Sequence, residues 1–194
     1  MTDRQEFHQR MEKLQQAVVD HGLQAFLVTA QDSIYYLTGA TYAPLERPFF
    51  ILVRPGSSAT LLAPALDREH LASAPNVGAV QSYWDYPSPP GQGWPERLRE
   101  LLHGLGDLGV EPSLSQEIAD QLAGIRFKTL GLVEALRLVK SPPEVALLRQ
   151  SAHYADLGMQ KIINASYYRV SEIEIFSQAR AVQMKIIQET DFDP

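Results

Sequence analysis

The chain has 194 residues, enough for one full domain and part of another, and sets 17 Lys plus Arg against 23 Asp plus Glu, a formal net charge of -6. That balance argues against sequence-independent binding of nucleic acid, which needs a basic face, and no stretch approaches the roughly 20 apolar residues that span a bilayer. With no cysteine there is no disulfide framework, thiolate metal site or cysteine nucleophile, and the charged start Met1-Thr-Asp-Arg lacks the apolar core of a signal peptide, so the expected compartment is the cytoplasm.

Phe7, Met11, Leu14 and Val18 recur at helical spacing, and Gly22 marks the stop. Ala25-Phe-Leu-Val-Thr29 reads as a buried strand. Asp32 or Ser33 is the expected cap of a short turn that carries Tyr35, Tyr36 and Leu37 and closes at Gly39. Phe49 to Val53 is a second strand, Arg54 to Ser58 has turn chemistry, and Thr60 to Ala63 returns as a third strand. A short helix over 66–73 leads to a fourth strand, Val77 to Tyr83. Four prolines and two glycines make 87–95 a loop, and a helix over 94–105 carries Leu98, Leu101 and Leu102 on one side. Leu108-Gly-Val-Glu111 is a short fifth strand, Ser115 to Ala123 a helix, and Thr129 to Val133 a sixth strand. Strands alternating with helices predict an α/β layer architecture, and the 49–63 hairpin makes the sheet mixed.

At Lys140 the pattern changes. Ser141-Pro-Pro-Glu144 and Ser171-Glu-Ile-Glu174 are capping boxes, each opening a long amphipathic helix. Two helices cannot bury both their faces alone. The expected organisation is therefore a domain over 1–139 and the start of a second, truncated one over 140–194.

No complete active site can be read from these residues. Gly104-Leu-Gly-Asp-Leu-Gly109 spells G-x-G-x-x-G, but it follows a helix and precedes a strand, the reverse of what places a helix amino terminus against a pyrophosphate. His8, His21, His70, His103 and His153 never pair at ligand spacing. Asp191 and Asp193 form a D-x-D without a framed pocket. The expectation is no catalytic residue and no metal ligand in this chain.

Four segments together resemble the creatinase, prolidase and aminopeptidase P family of "pita-bread" metallohydrolases: Tyr35-Tyr-Leu-Thr-Gly39, Glu46-Arg-Pro-Phe-Phe-Ile-Leu-Val53, Leu136-Arg-Leu-Val-Lys-Ser-Pro-Pro-Glu-Val-Ala-Leu-Leu-Arg149 and Arg169-Val-Ser-Glu-Ile-Glu174. The third, at the family's domain junction, is the most specific. The resemblance implies a six-stranded mixed sheet flanked by helices, followed by a longer catalytic domain. That second domain holds two Asp, one His and two Glu around a divalent metal pair (Mn, Co or Zn) in the peptidases, although some members have lost it. Those ligands would lie beyond Pro194, so this chain alone should be inert.

In the family the amino-terminal domain of one subunit leans over its dimer partner's active site, and in creatinase-like members an arginine resembling Arg47 meets the substrate carboxylate. A guanidinium fork matches a carboxylate; the plainer alternative is a surface ion pair, for instance with Glu46. Trp84-Asp-Tyr86 opens the Pro/Gly-rich loop, and its aromatics serve either binding or loop packing. The function implied is an accessory and dimerisation domain of a hydrolase that cleaves a small peptide or amide, such as an Xaa-Pro dipeptide. A creatinase-like amidinohydrolase and a non-catalytic protein-binding module are the alternatives. The partners expected are the small substrate and a second copy of the chain, with neither nucleic acid nor membrane.

Overall fold

A computed structural model describes residues 4–42, 46–85 and 87–190. The chain divides into two compact units, Met1–Val139 and Lys140–Pro194.

The first unit opens with helix α1 (Arg4–Asp20), whose Phe7, Met11, Leu14 and Val18 are all buried. Strand β1 (Ala25–Val28) leads into helix α2 (Gln31–Thr38), which ends at Gly39 with φ 66°. A Cβ at Gly39 would come within 2.8 Å of the Phe7 ring, so glycine serves both the left-handed turn and the close approach. Strands β2 (Phe50–Val53) and β3 (Ala59–Pro64) form the hairpin. A 3-10 turn (Ala65–Asp67) and helix α3 (Arg68–Leu71) precede β4 (Val77–Tyr83). Then come α4 (Trp94–Leu101), β5 (Leu108–Val110), α5 (Gln116–Gln121), β6 (Phe127–Thr129) and α6 (Leu132–Leu138).

These strands make one six-stranded mixed sheet in the order β4-β3-β2-β1-β5-β6. β2 is antiparallel to both neighbours, while the β3-β4, β1-β5 and β5-β6 pairs are parallel. Helices cover both faces, which is why Ala25–Val28 and Phe50–Val53 are buried at every position instead of alternating. Phe26, Val28, Ile51, Val53 and Leu61 share one core with α1, α2 and α6. Ala25, Leu27, Phe50, Leu52, Leu108 and Val110 share the other with Leu98, Leu101 and Leu122. Each buried Val, Leu, Ile or Phe among them stabilises the fold by about 1.5–3 kcal/mol relative to exposure. Gly109 lets β5 lie against β1, because a Cβ there would meet the Phe26 ring at 2.5 Å.

Two expectations need correction. The sixth strand is Phe127–Thr129, not 129–133, and the residues that follow form α6, whose Leu132 and Val133 enter the core. A short apolar run does not distinguish strand from helix by itself. The segment after β1 is a two-turn helix capped neither by Asp32 nor by Ser33. Ala30 is its N-cap and offers no side-chain bond. Asp32 instead lies 3.5 Å from the Arg137 guanidinium, and Ser33 is buried.

The second unit is two helices, α7 (Pro142–Ala165) and α8 (Glu172–Glu189), each opened by the complete capping box. Tyr154 of α7 donates its hydroxyl to the Glu189 carboxylate, 3.1 Å away. Val182 is buried, but Leu148, Met159, Ile163, Ile173, Phe176 and Met184 are each more than half exposed.

Candidate functional site

Five of the six strands run in one direction, and only β2 runs against them. The segment entering β2 therefore shares a sheet end with the segments leaving β1, β3, β4 and β5. Open sheets form ligand crevices outside the carboxyl ends of their parallel strands, at a point where successive connections part to opposite faces. Here β1 continues into α2 on one face, and β5 continues toward α5 and Leu122 on the other.

Arg47 stands at this end. Its side chain is 25% exposed, more sheltered than a loop arginine between prolines suggests; Pro44 lies outside the described residues. Its Nη1 donates to Asp85 Oδ2 at 3.3 Å, so its partner comes from the far end of β4, not from the neighbouring Glu46. The bond from Asp85 raises the guanidinium pKa above its ordinary value, against a smaller effect of burial. Tyr83, two residues before Asp85, donates its hydroxyl to the Pro48 carbonyl at 3.0 Å. β4 thus grips residues 47 and 48 together, one through the side chain and one through the backbone. Burial, then Asp85, pushes the Tyr83 phenol up, so it remains a proton donor.

Two hollows meet at Arg47. One, of about 560 Å³, is lined by Glu46, Arg47, Trp84, Asp85 and Trp94 among others. Trp84 is exposed, and Trp94 tilts against Phe50 with ring centroids 5.9 Å apart; Tyr86 lies outside the described residues. The other hollow, of about 280 Å³, is lined by Thr29, Ala30, Gln31, Tyr42, Arg47 and Trp94 among others. Glu46, Arg47, Pro48 and Trp94 belong to both. The Tyr42 ring stacks on Phe49 at 3.8 Å, and burial, then Glu111 and Asp32, push its phenol up.

Sequence reasoning missed Glu111. This carboxyl group is fully buried at the end of β5. Its Oε2 accepts from the backbone N–H of Thr29 at 2.6 Å and of Ala30 at 2.8 Å. It thereby caps α2 from a distant part of the chain, and a negative charge suits a helix amino terminus. Its other oxygen, Oε1, is buried without a hydrogen-bond partner among the described residues. The available signal was a carboxylate closing an apolar strand, Leu108-Gly-Val-Glu111.

The remaining candidates are dispersed. His21 and His70 lie against backbone carbonyls, His8 against Glu12 and Asn76, and His153 beside the Tyr154 ring. Tyr36 packs under the Arg10 guanidinium and donates to the Leu136 carbonyl, whereas Tyr35 is exposed. Gly104 turns the chain after α4 with φ 79°, and Gly109 lies in β5, so the glycine motif serves a turn and a packing contact. Asp191 and Asp193 lie outside the described residues. Among the described residues no three His, Asp or Glu come together as a metal site, so they do not fit the metal pair implied for a longer protein. No helix among the described residues is long and apolar enough to cross a membrane.

The model of the creatinase/prolidase N-terminal domain matches residues 10–139. The chain belongs to that family. An uncharacterized peptidase of Staphylococcus aureus strain USA300 is 25% identical over 173 residues, which are 86% of this chain and 47% of that protein. The chain thus spans about half the length of the curated relatives it matches. The prolidase of Pyrococcus horikoshii OT3 superposes with a TM-score of 0.74 at 23% identity, covering 91% of this chain and 49% of that one. A proline dipeptidase of Streptococcus pneumoniae superposes with a TM-score of 0.57 at 24% identity, covering 67% of this chain and 98% of that one. At these identities the superpositions show the fold.

Proposed function

We propose that this chain is the amino-terminal accessory domain of a prolidase-like peptidase, and that Arg47 presents a guanidinium to the carboxylate of a small peptide substrate such as an Xaa-Pro dipeptide. The observation that carries this reading is Arg47 itself, set between two hollows at the end of the sheet where the parallel strands finish and paired with Asp85. A substrate carboxylate can take the place of Asp85 or share the fork, which offers five N–H donors. The family membership and the peptidase relatives support the same class of substrate.

The domain contributes binding and orientation, and no bond-breaking step is assigned to its residues. A metal pair, where the complete protein has one, would activate water and polarise the scissile carbonyl from another domain. The reading includes a homodimer in which this domain faces its partner's active site, a pita-bread catalytic domain, and a cytoplasmic protein. Arg47→Ala, made in a protein that joins this domain to a catalytic domain, should lose about tenfold or more in kcat/KM. Mixing those subunits with subunits inactivated in the catalytic domain should restore activity at one site per heterodimer. Full kcat/KM in Arg47→Ala overturns the substrate contact, and loss without rescue on mixing overturns its action across a dimer.

A further inference from the structure

We infer that Glu111 is the positioning residue of the smaller hollow: its buried carboxylate fixes the Thr29–Gln31 wall and, through Gln31 and Tyr42, sets where the Arg47 segment stands. The inference rests on reading Arg47 as the group that meets a substrate carboxylate.

The connection can be followed atom by atom. Glu111 Oε2 accepts from the amides of Thr29 and Ala30, and both residues line the hollow. The next residue, Gln31, donates its Nε2 to the Tyr42 carbonyl at 2.8 Å. The Tyr42 ring lies on Phe49, with centroids 3.8 Å apart and planes 26° apart. Phe49 follows Arg47 and Pro48 directly, and Arg47 forms part of the same hollow. The linkage thus starts at a carboxylate just after β5 and ends at Phe49, two residues from Arg47. Ala30, the N-cap of α2, offers no side-chain bond of its own, and the carboxylate after β5 supplies one. A glutamate used only for stability would be an expensive choice here, since a fully buried carboxylate with one unpaired oxygen costs folding free energy. Its return is geometric: two charge-assisted bonds lock two successive amides at the crevice edge.

Four variants of the 194-residue chain test this by NMR. Glu111→Ala removes the acceptor. Ala30→Pro removes one of the two donors and keeps the carboxylate, at a residue whose φ of −75° already suits proline. Glu111→Gln keeps an acceptor of the same shape. Val18→Ala, a core position on α1 that does not line the hollow, controls for a general loss of stability. The readouts are the nuclear Overhauser contact between the Tyr42 and Phe49 rings, amide exchange at Thr29, and binding of glycyl-proline followed at the Arg47 side chain.

Glu111→Ala and Ala30→Pro should weaken the ring contact, speed exchange at Thr29 about tenfold, and weaken glycyl-proline binding about threefold or more. Glu111→Gln should restore all three, and Val18→Ala should leave the ring contact and the binding as they are. A folded Glu111→Ala that keeps the ring contact overturns the inference, as does a Val18→Ala that loses it equally. Should Glu111→Ala not fold, Ala30→Pro decides in its place. If the unsubstituted chain does not bind glycyl-proline, the Arg47 reading loses its support in this chain, while the ring contact and the exchange still decide the role of Glu111.

Discussion

The hydroxyl of Tyr83 reaches the carbonyl of Pro48 across 3.0 Å and joins the last residue of β4 to the residue beside Arg47. Tyr83 is almost wholly buried, and so this bond is partly sheltered from water at the edge of the larger hollow. Tyr83→Phe keeps the packing and removes the donor. It should lower stability by about 1 kcal/mol, the usual net worth of such a bond. Urea denaturation of both proteins measures the difference, and equal midpoints with equal slopes would show that the Pro48 carbonyl needs no partner.

Glu174 accepts from the Ser171 backbone N–H at 2.8 Å and from the Ser171 hydroxyl at 2.7 Å. Those bonds, the backbone one first, hold its carboxyl below the ordinary carboxylate range. A depressed folded value means the stabilising contribution is complete above the ordinary value of about 4.3 and is lost as pH falls through the lowered one. A carboxyl-carbon NMR titration of Glu174 should therefore give a midpoint below that of a free glutamate. Ser171→Ala removes the hydroxyl bond and should move it up, and coincident midpoints in the two proteins would remove that hydroxyl as a cause.

A chain ending at Val139 should fold by itself. Both cores of the sheet lie within residues 1–139. The matched S. pneumoniae chain, 98% of which is covered, corresponds to only 67% of this one. The exposed apolar positions of α7 and α8 predict the converse for residues 140–194. Limited proteolysis should cut there first, and light scattering should detect self-association through those faces. Equal protection of 140–194 in a strictly monomeric chain would contradict this.

After dialysis the 194-residue chain should hold less than one transition metal ion per molecule. It should also leave Xaa-Pro dipeptides uncleaved, because the histidines and carboxylates among the described residues are scattered. Elemental analysis and a dipeptide assay check this. One tightly held metal per chain, or turnover above a buffer blank, would mean that residues far apart in sequence form a centre after all.

Local periodicity made most of this fold legible. Phe7, Met11, Leu14 and Val18 announce α1, and continuous runs such as Phe-Ile-Leu-Val announce strands covered on both faces. Ser141 and Ser171 announce their helices because a capping box is complete within four residues. What stayed hidden depends on residues far apart in the chain. Glu111 caps a helix 81 and 82 residues away, and Asp85 pairs with Arg47 across 38. A propensity for strand over 129–133 lost to the burial of Leu132 and Val133 on a helix. Of the site, sequence indicated Arg47 but neither its partner nor the two hollows beside it.

The reversed direction of β2 also separates two kinds of surface. The Arg54–Ser58 turn that joins β2 to β3 lies at the end of the sheet opposite Arg47. Gly56 there has φ 70° with open space around it. A fluorophore, an affinity tag or a tether to a solid support placed at that turn would sit a full strand length from Arg47, Tyr83 and Glu111. The molecule has a natural handle, by which it can be held or watched while the opposite rim stays free.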